Sequence, residues 1–104
     1  MSAGGTPACP AGLVCETARR TVTICNKLGL HSRASAKFVK IATLFDSEIW
    51  VRKNGTTVPG RDILELLMLE APPGTPLEII ATGCDAAAAV DALVRLIERK
   101  FDED

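Results

Sequence analysis

Tyrosine is missing from this 104-residue chain, tryptophan occurs once, and aromatic residues make up only 4% of it. A core built from it has to be aliphatic, and there is little on which nucleic-acid bases could stack. An excess of charge of one sign is missing too, since 12 Lys+Arg against 13 Asp+Glu leave a formal net charge of -1. Without a basic field to hold a phosphate backbone, nucleic-acid binding is not expected. No apolar run approaches the roughly 18 residues of a membrane span, so a soluble protein with no membrane association is expected. The four cysteines, Cys9, Cys15, Cys25 and Cys84, show no CxxC spacing and have one histidine to join them. That argues against a zinc site and for free thiols in a reducing cytoplasm. No Ser-His-Asp set or pair of facing carboxylates suggests a complete turnover mechanism.

What is present is one domain's worth of patterned chain. Residues 1–17 are rich in small residues, Gly and Pro and read as a flexible tail, leaving 18–104 as the folded domain. Thr21-Val22-Thr23-Ile24-Cys25 alternates with period two, which predicts a strand with Val22 and Ile24 inward. Ala34, Phe38, Ile41 and Ala42 form a helical stripe over about Ser32 to Thr43. Glu48 to Arg52 and Thr56 to Val58 read as strands joined by the Asn54-Gly55 hairpin turn, with Trp50 on the open face. Asp62 and Glu65 make a capping-box pattern before a helix from about Ile63 to Glu70. Leu77 to Ala81 is a further strand, and Asp85 is the candidate N-cap of a last helix with Ala86, Ala89, Val90, Leu93, Leu96, Ile97 and Phe101 on one face. The order βαββαβα predicts an α+β fold: an open-faced two-layer sandwich, a four-stranded antiparallel sheet with three helices on one face.

His31, the only histidine, stands directly before the first helix. There its ring lies near amides with no partner inside the helix, and near the positive end of the helix dipole. An anion on the ring is stabilised in that place, and the same field is expected to lower the imidazole pKa and leave a neutral, nucleophilic nitrogen. Arg33 can reach back to hold phosphate oxygens in a fork. The pattern suits a histidine that accepts and passes on a phosphoryl group, and it equally suits a histidine that only caps a helix. Arg33, Lys37 and Lys40 fall at i, i+4 and i+7, a basic ridge that is either a docking surface for an acidic partner or an ordinary solvated face. The helix from Ile63 to Leu69 is apolar nearly all round, which points to a contact patch including some of Ile63, Leu64, Leu67 and Met68.

The run Leu28-Gly29-Leu30-His31-Ser32-Arg33-Ala34-Ser35-Ala36-Lys37-Phe38 resembles the active-site segment of the HPr family, the histidine-containing phosphocarriers of the bacterial phosphoenolpyruvate-dependent phosphotransferase system. Lys53-Asn54-Gly55, Leu66-Leu67-Met68-Leu69 and the Ala81-Thr82-Gly83 strand end match as well, so that the likeness runs from about Thr21 to the end. It implies that His31 is phosphorylated on Nδ1 and that Arg33 orients the phosphate. It also implies Enzyme I as donor, an Enzyme IIA protein as acceptor, docking of both on Ile63, Leu64, Leu67 and Met68, and no cofactor. A monomer with transient partners is expected.

Two positions depart from the pattern. Ala34 stands where many members have Pro, a residue favoured at a helix start but not required there. Asp62 aligns with the serine that HPr kinase phosphorylates in many members; it keeps the N-cap and cannot accept that phosphate. The Asn26-Lys27-Leu28-Gly29 approach and the Phe101-Asp102-Glu103-Asp104 ending resemble the nitrogen-related branch, NPr, whose implied role is regulatory. The rival reading is a non-catalytic regulatory or interaction module in which His31 merely caps its helix.

Overall fold

The computed structural model describes residues 16–103. Its strands are β1 (Glu16–Thr23), β2 (Glu48–Lys53), β3 (Thr56–Pro59) and β4 (Pro76–Gly83), and its helices α1 (Ser32–Ala42), α2 (Ile63–Met68) and α3 (Ala86–Glu98). The sheet is antiparallel throughout, in the order β1-β4-β2-β3. The helices cover one face, giving the open-faced two-layer sandwich that the βαββαβα order predicts. Cys9, Cys15 and the expected tail up to residue 15 lie outside the described residues.

The first strand begins at Glu16 rather than Thr21, and it takes in Glu16 and Thr17, which the composition had assigned to the tail. The reason is the partner strand: β4 is eight residues long, and β1 pairs along all of it, from Glu16 with Gly83 to Thr23 with Pro76. Backbone bonds specify this extension, so an edge segment such as Thr17-Ala18-Arg19-Arg20 needs no hydrophobic alternation to join. Val22 and Ile24 do point into the core, although Ile24 lies just past the strand. Asn54 (φ +50°) and Gly55 (φ +87°) turn β2 into β3 in the left-handed conformations that a tight hairpin demands.

Ile49, Val51, Val58, Leu77, Ile79 and Ala81 supply the inner face of the sheet. Against it lie Ala34, Phe38 and Ala42 of α1 and Ala89, Val90, Leu93 and Ile97 of α3, all nearly fully buried. Ile41 of the expected α1 stripe is only half-buried, packed at the rim of this core. On the opposite sheet face Trp50 pairs with Ile80 and Pro59 and is 37% exposed, as an open face requires.

Two expectations are corrected. Asp85 occupies the N-cap of α3, but its carboxylate makes no capping bond. It turns instead to the loop before β2 and accepts from the amides of Asp46 (2.9 Å) and Ser47 (3.0 Å) and from the Ser47 hydroxyl. Two loop amides outside any strand take the carboxylate in place of the first-turn amides of α3. Phe101, expected on the α3 stripe, lies beyond the helix, in a turn where Lys100, Phe101 and Asp102 have φ of +59°, +57° and +60°. That conformation costs side-chain-bearing residues roughly 1–2 kcal/mol each. Complete burial of the Phe101 ring and an ion pair between Arg99 and Asp102 offset it.

Candidate functional site

The loop between β1 and α1 is held against the segment after α2. The Leu30 amide donates to the Ala71 carbonyl at 2.9 Å. Gly29, with φ +68°, lies so close that a Cβ there would sit 2.5 Å from the same oxygen, so only glycine fits. The chain then enters α1 through His31, the N-cap, whose backbone is extended (φ -80°, ψ -176°). The His31 carbonyl accepts from the Ser35 amide at 2.8 Å, and the Ser35 hydroxyl bonds back to the Leu30 carbonyl.

Both ring nitrogens of His31 are engaged. Nδ1 accepts from the Arg33 amide at 3.3 Å, which turns it toward the amides that open α1. Nε2 lies 2.6 Å from Oε2 of Glu103, 72 residues on in the chain. A carboxylate only accepts and an amide only donates, so this pair of bonds describes the neutral tautomer with its proton on Nε2 and its lone pair on Nδ1. The helix end is therefore not the only field at the ring. Glu103 stands on the other side of the ring as a countercharge. Burial pushes the Glu103 carboxyl up, but bonds from Asn26 and His31 and the nearby Lys37 charge outweigh this and hold it below the usual carboxylate range.

The side chains of His31 and Glu103 are 22% and 16% exposed, so the ring edge remains reachable from solvent. Beside it an open hollow of about 350 Å³ is lined by Leu28, Leu30, His31, Glu70, Ala71 and Pro72. Arg33 is exposed, and the ion pairs among the described residues engage Arg19, His31, Arg95 and Arg99 but not its guanidinium. The basic ridge is less uniform than its spacing predicts. Lys40 is exposed, whereas Lys37 is half-buried and donates to the Phe101 carbonyl at 2.7 Å. That carbonyl, in a turn with no helical partner for it, draws the ammonium off the surface.

On α2 the exposed and buried sides separate clearly. Leu66 is fully buried and Leu69 nearly so, while Ile63, Leu64 and Met68 are 38%, 68% and 72% exposed and Leu67 is half-buried. Asp62 caps this helix as its sequence suggests, Oδ1 accepting from the Glu65 amide at 3.2 Å. Sequence reasoning quoted Asn26 and Glu103 only for their likeness to one branch of the family and gave neither a place beside His31. The Asn26 side chain, 1% exposed, donates to the Gly29 carbonyl (2.8 Å) and to Oε1 of Glu103 (3.0 Å). Its place directly after an alternating strand was the only available signal.

The open-faced antiparallel sandwich thus presents the chain's one histidine at the start of its first helix. The family model described as "PTS HPr component phosphorylation site" matches residues 18–99, and the chain belongs to the HPr family. It is 47% identical over 85 residues to the phosphocarrier protein HPr of Neisseria meningitidis serogroup A, covering 82% of this chain and 96% of that one. The phosphocarrier protein NPr of Shewanella violacea is 45% identical over 84 residues, covering 81% and 92%. The crystal structure of HPr-C-His from Thermoanaerobacter tengcongensis superposes with a TM-score of 0.81 at 40% identity, over 84% of this chain and 98% of that one. Membership makes the chain a phosphocarrier of the phosphotransferase system that works by transient contact with the enzymes of that system and is not a catalyst in its own right. Among the described residues no helix is long and apolar enough to cross a membrane.

Proposed function

We propose that His31 accepts a phosphoryl group on Nδ1 from phosphorylated Enzyme I and passes it to an Enzyme IIA protein, in the cytoplasm. The observation that carries this is the position of the chain's only histidine as N-cap of α1, with Nδ1 turned toward the first-turn amides. Those amides have no partners within the helix, so the dianion that forms on Nδ1 meets donors and the positive end of the helix dipole in place. Arg33 adds a mobile countercharge. Charging with phosphoenolpyruvate, Mg²⁺ and a bacterial Enzyme I is expected to add the mass of one phosphate to the wild type. That phosphate should be lost in mild acid and should not appear on His31→Ala. Absence of a mass gain on folded wild type would contradict the proposal.

Ile63, Leu64, Leu67 and Met68 with Lys40 form the docking surface for both partners in this reading, while Lys37 takes part from the side that it shares with Phe101. Support comes from the apolar exposure of α2, which no packing inside the domain requires. Asp62, committed to its cap, replaces the regulatory serine, and HPr kinase is expected to leave the chain unmodified. The loop Asn26-Lys27-Leu28-Gly29 and the Phe101-Asp102-Glu103-Asp104 ending favour the nitrogen-related branch. In that case a nitrogen-type Enzyme IIA discharges phospho-His31 faster than a sugar-type one, and the reverse order would assign the chain to sugar transport.

A further inference from the structure

We propose that Glu103 is a positioning residue for the transfer: its carboxylate keeps the ring proton of His31 on Nε2 and so leaves the lone pair on Nδ1, the nitrogen that faces α1. The inference rests on His31 being the phosphoryl acceptor, and it concerns a segment beyond residues 18–99, the span that the family model matches.

The geometry constrains each member of the arrangement. Glu103 bonds Nε2 through Oε2 at 2.6 Å and Asn26 through Oε1 at 3.0 Å, so both carboxylate oxygens are occupied by donors. Asn26 cannot be turned over, because its Nδ2 serves the Gly29 carbonyl at 2.8 Å as well as Glu103. Reversing the amide would aim its oxygen at two acceptors. The cost of this fixed orientation is visible, since Oδ1 of Asn26 is the buried side-chain polar atom without a hydrogen-bond partner among the described residues. The backbone that delivers Glu103 is fixed in turn. Phe101 is fully buried, its carbonyl accepts from Lys37 of α1, and the chain passes through three successive left-handed residues to bring Glu103 over the ring.

The chemistry needs this proton to stay in place. In charging, the Nδ1 lone pair forms the new bond to phosphorus while the donor's bond to phosphorus breaks and its electron pair returns to the donor. No proton leaves the imidazole. The ring becomes a cation, phosphorylated on Nδ1 and protonated on Nε2, and Glu103 is the anion set against it. In discharge the acceptor's nucleophile bonds to phosphorus, the N–P bond breaks, and Nδ1 recovers its pair with Nε2 still protonated. A ring with its proton on Nδ1 has no lone pair there to begin the cycle.

Glu103→Gln makes a sharp test because it reverses the logic of the site. Asn26 keeps its demand for an acceptor, so the glutamine oxygen faces Asn26 and its NH₂ faces Nε2, which now has to be the unprotonated nitrogen. The tautomer is read from imidazole ¹H–¹⁵N correlation spectra of ¹⁵N-labelled protein at a pH where the ring is neutral, with no donor present; one histidine leaves no ambiguity of assignment. The wild type is expected as Nε2–H, and Glu103→Gln is expected to shift toward Nδ1–H. Charging by phosphorylated Enzyme I is expected to slow about tenfold in Glu103→Ala, as for loss of other partners that orient a functional histidine, and at least as much in Glu103→Gln. A purely structural role would make the isosteric glutamine the milder change. A wild-type ring protonated on Nδ1, an unchanged tautomer in both variants, or charging rates within twofold of wild type would overturn the proposal. If Glu103→Gln does not fold, the wild-type spectrum and Glu103→Ala decide alone. Failure of the carrier reading is distinguishable, because it shows as no phosphate uptake by the wild type itself.

Discussion

Arg33 keeps its guanidinium in solvent two residues from the ring, and what it contributes has to come when a phosphate arrives. A charge-assisted hydrogen bond is worth about 1.5–3 kcal/mol, so Arg33→Ala is expected to slow charging on the order of 10- to 100-fold with the melting temperature unchanged. Arg33→Lys should fall between, since a point charge on a flexible stem replaces only part of a planar fork. The measurement is the initial rate of phosphate uptake from Enzyme I beside a thermal melt, and equal rates for all three chains would remove Arg33 from the site. The proximity of His31 and Arg33 was legible in the sequence because both lie at one strand-loop-helix junction. Glu103 was not. Its bond to His31 closes 72 residues of chain, and in sequence it is one acid in an acidic, solvated-looking end.

Asp85 shows how an element's boundary can be read correctly and its chemistry still be missed. The spacing puts it at the start of α3, and the fold uses its carboxylate to tie the loop before β2 to that helix. Burial raises its pKa, but the bonds from the Ser47 hydroxyl and the Asp46 and Ser47 amides prevail and hold it below the usual carboxylate range. A depressed carboxyl adds stability that is present above the unfolded-state pKa and disappears as pH falls through the folded-state value. Asp85→Asn is therefore expected to lower the melting temperature at neutral pH by roughly 4–8 °C, for about 1 kcal/mol, and to flatten the acid limb below about pH 4 relative to wild type. Thermal melts across pH 2–7 check both, and a parallel offset at every pH would contradict the assignment. The cations that close the first two helices were invisible in the sequence for a similar reason. Arg61 donates to the carbonyls of Ala42, Phe45 and Ser47 at the end of α1, and Lys53 donates to those of Leu69 and Glu70 after α2. Each is a cation placed at a helix C-terminus by tertiary contact rather than by local spacing. For α2, Met68→Asp should leave the melting point within the range of a neutral surface change, about 0.5 kcal/mol, while slowing transfer from Enzyme I and to Enzyme IIA alike. A rate effect on only one of the two steps would show that the partners use different surfaces.

Taken whole, the domain was legible as a sandwich because its strands and helices differ in hydrophobic period and the turn residues between them are plain. Its edge was less so: β1 gains Glu16 and Thr17 from β4, which no local pattern of the first twenty residues could reveal. A chain starting at Glu16 keeps every described strand pair, and its melting temperature is expected to match that of the full chain. One starting at Ala18 loses the pairs Glu16–Gly83 and Thr17–Thr82 and should melt lower; calorimetry of the two truncations is the check.

The strand order also sets a timetable for folding. β4, with β1 on one side and β2 on the other, is the last of the described strands in chain order, and until it exists the only pair available among the described strands is the β2–β3 hairpin. Pairing across such distances has to overcome loop closure before it is rewarded, which makes assembly of the sheet late and slow compared with its helices. The ring of His31 then waits longer still, for residues 101–103. A chain growing on the ribosome thus carries its histidine 72 residues before the carboxylate that bonds its ring, and a fragment broken off before residue 103 would hold the histidine without that partner.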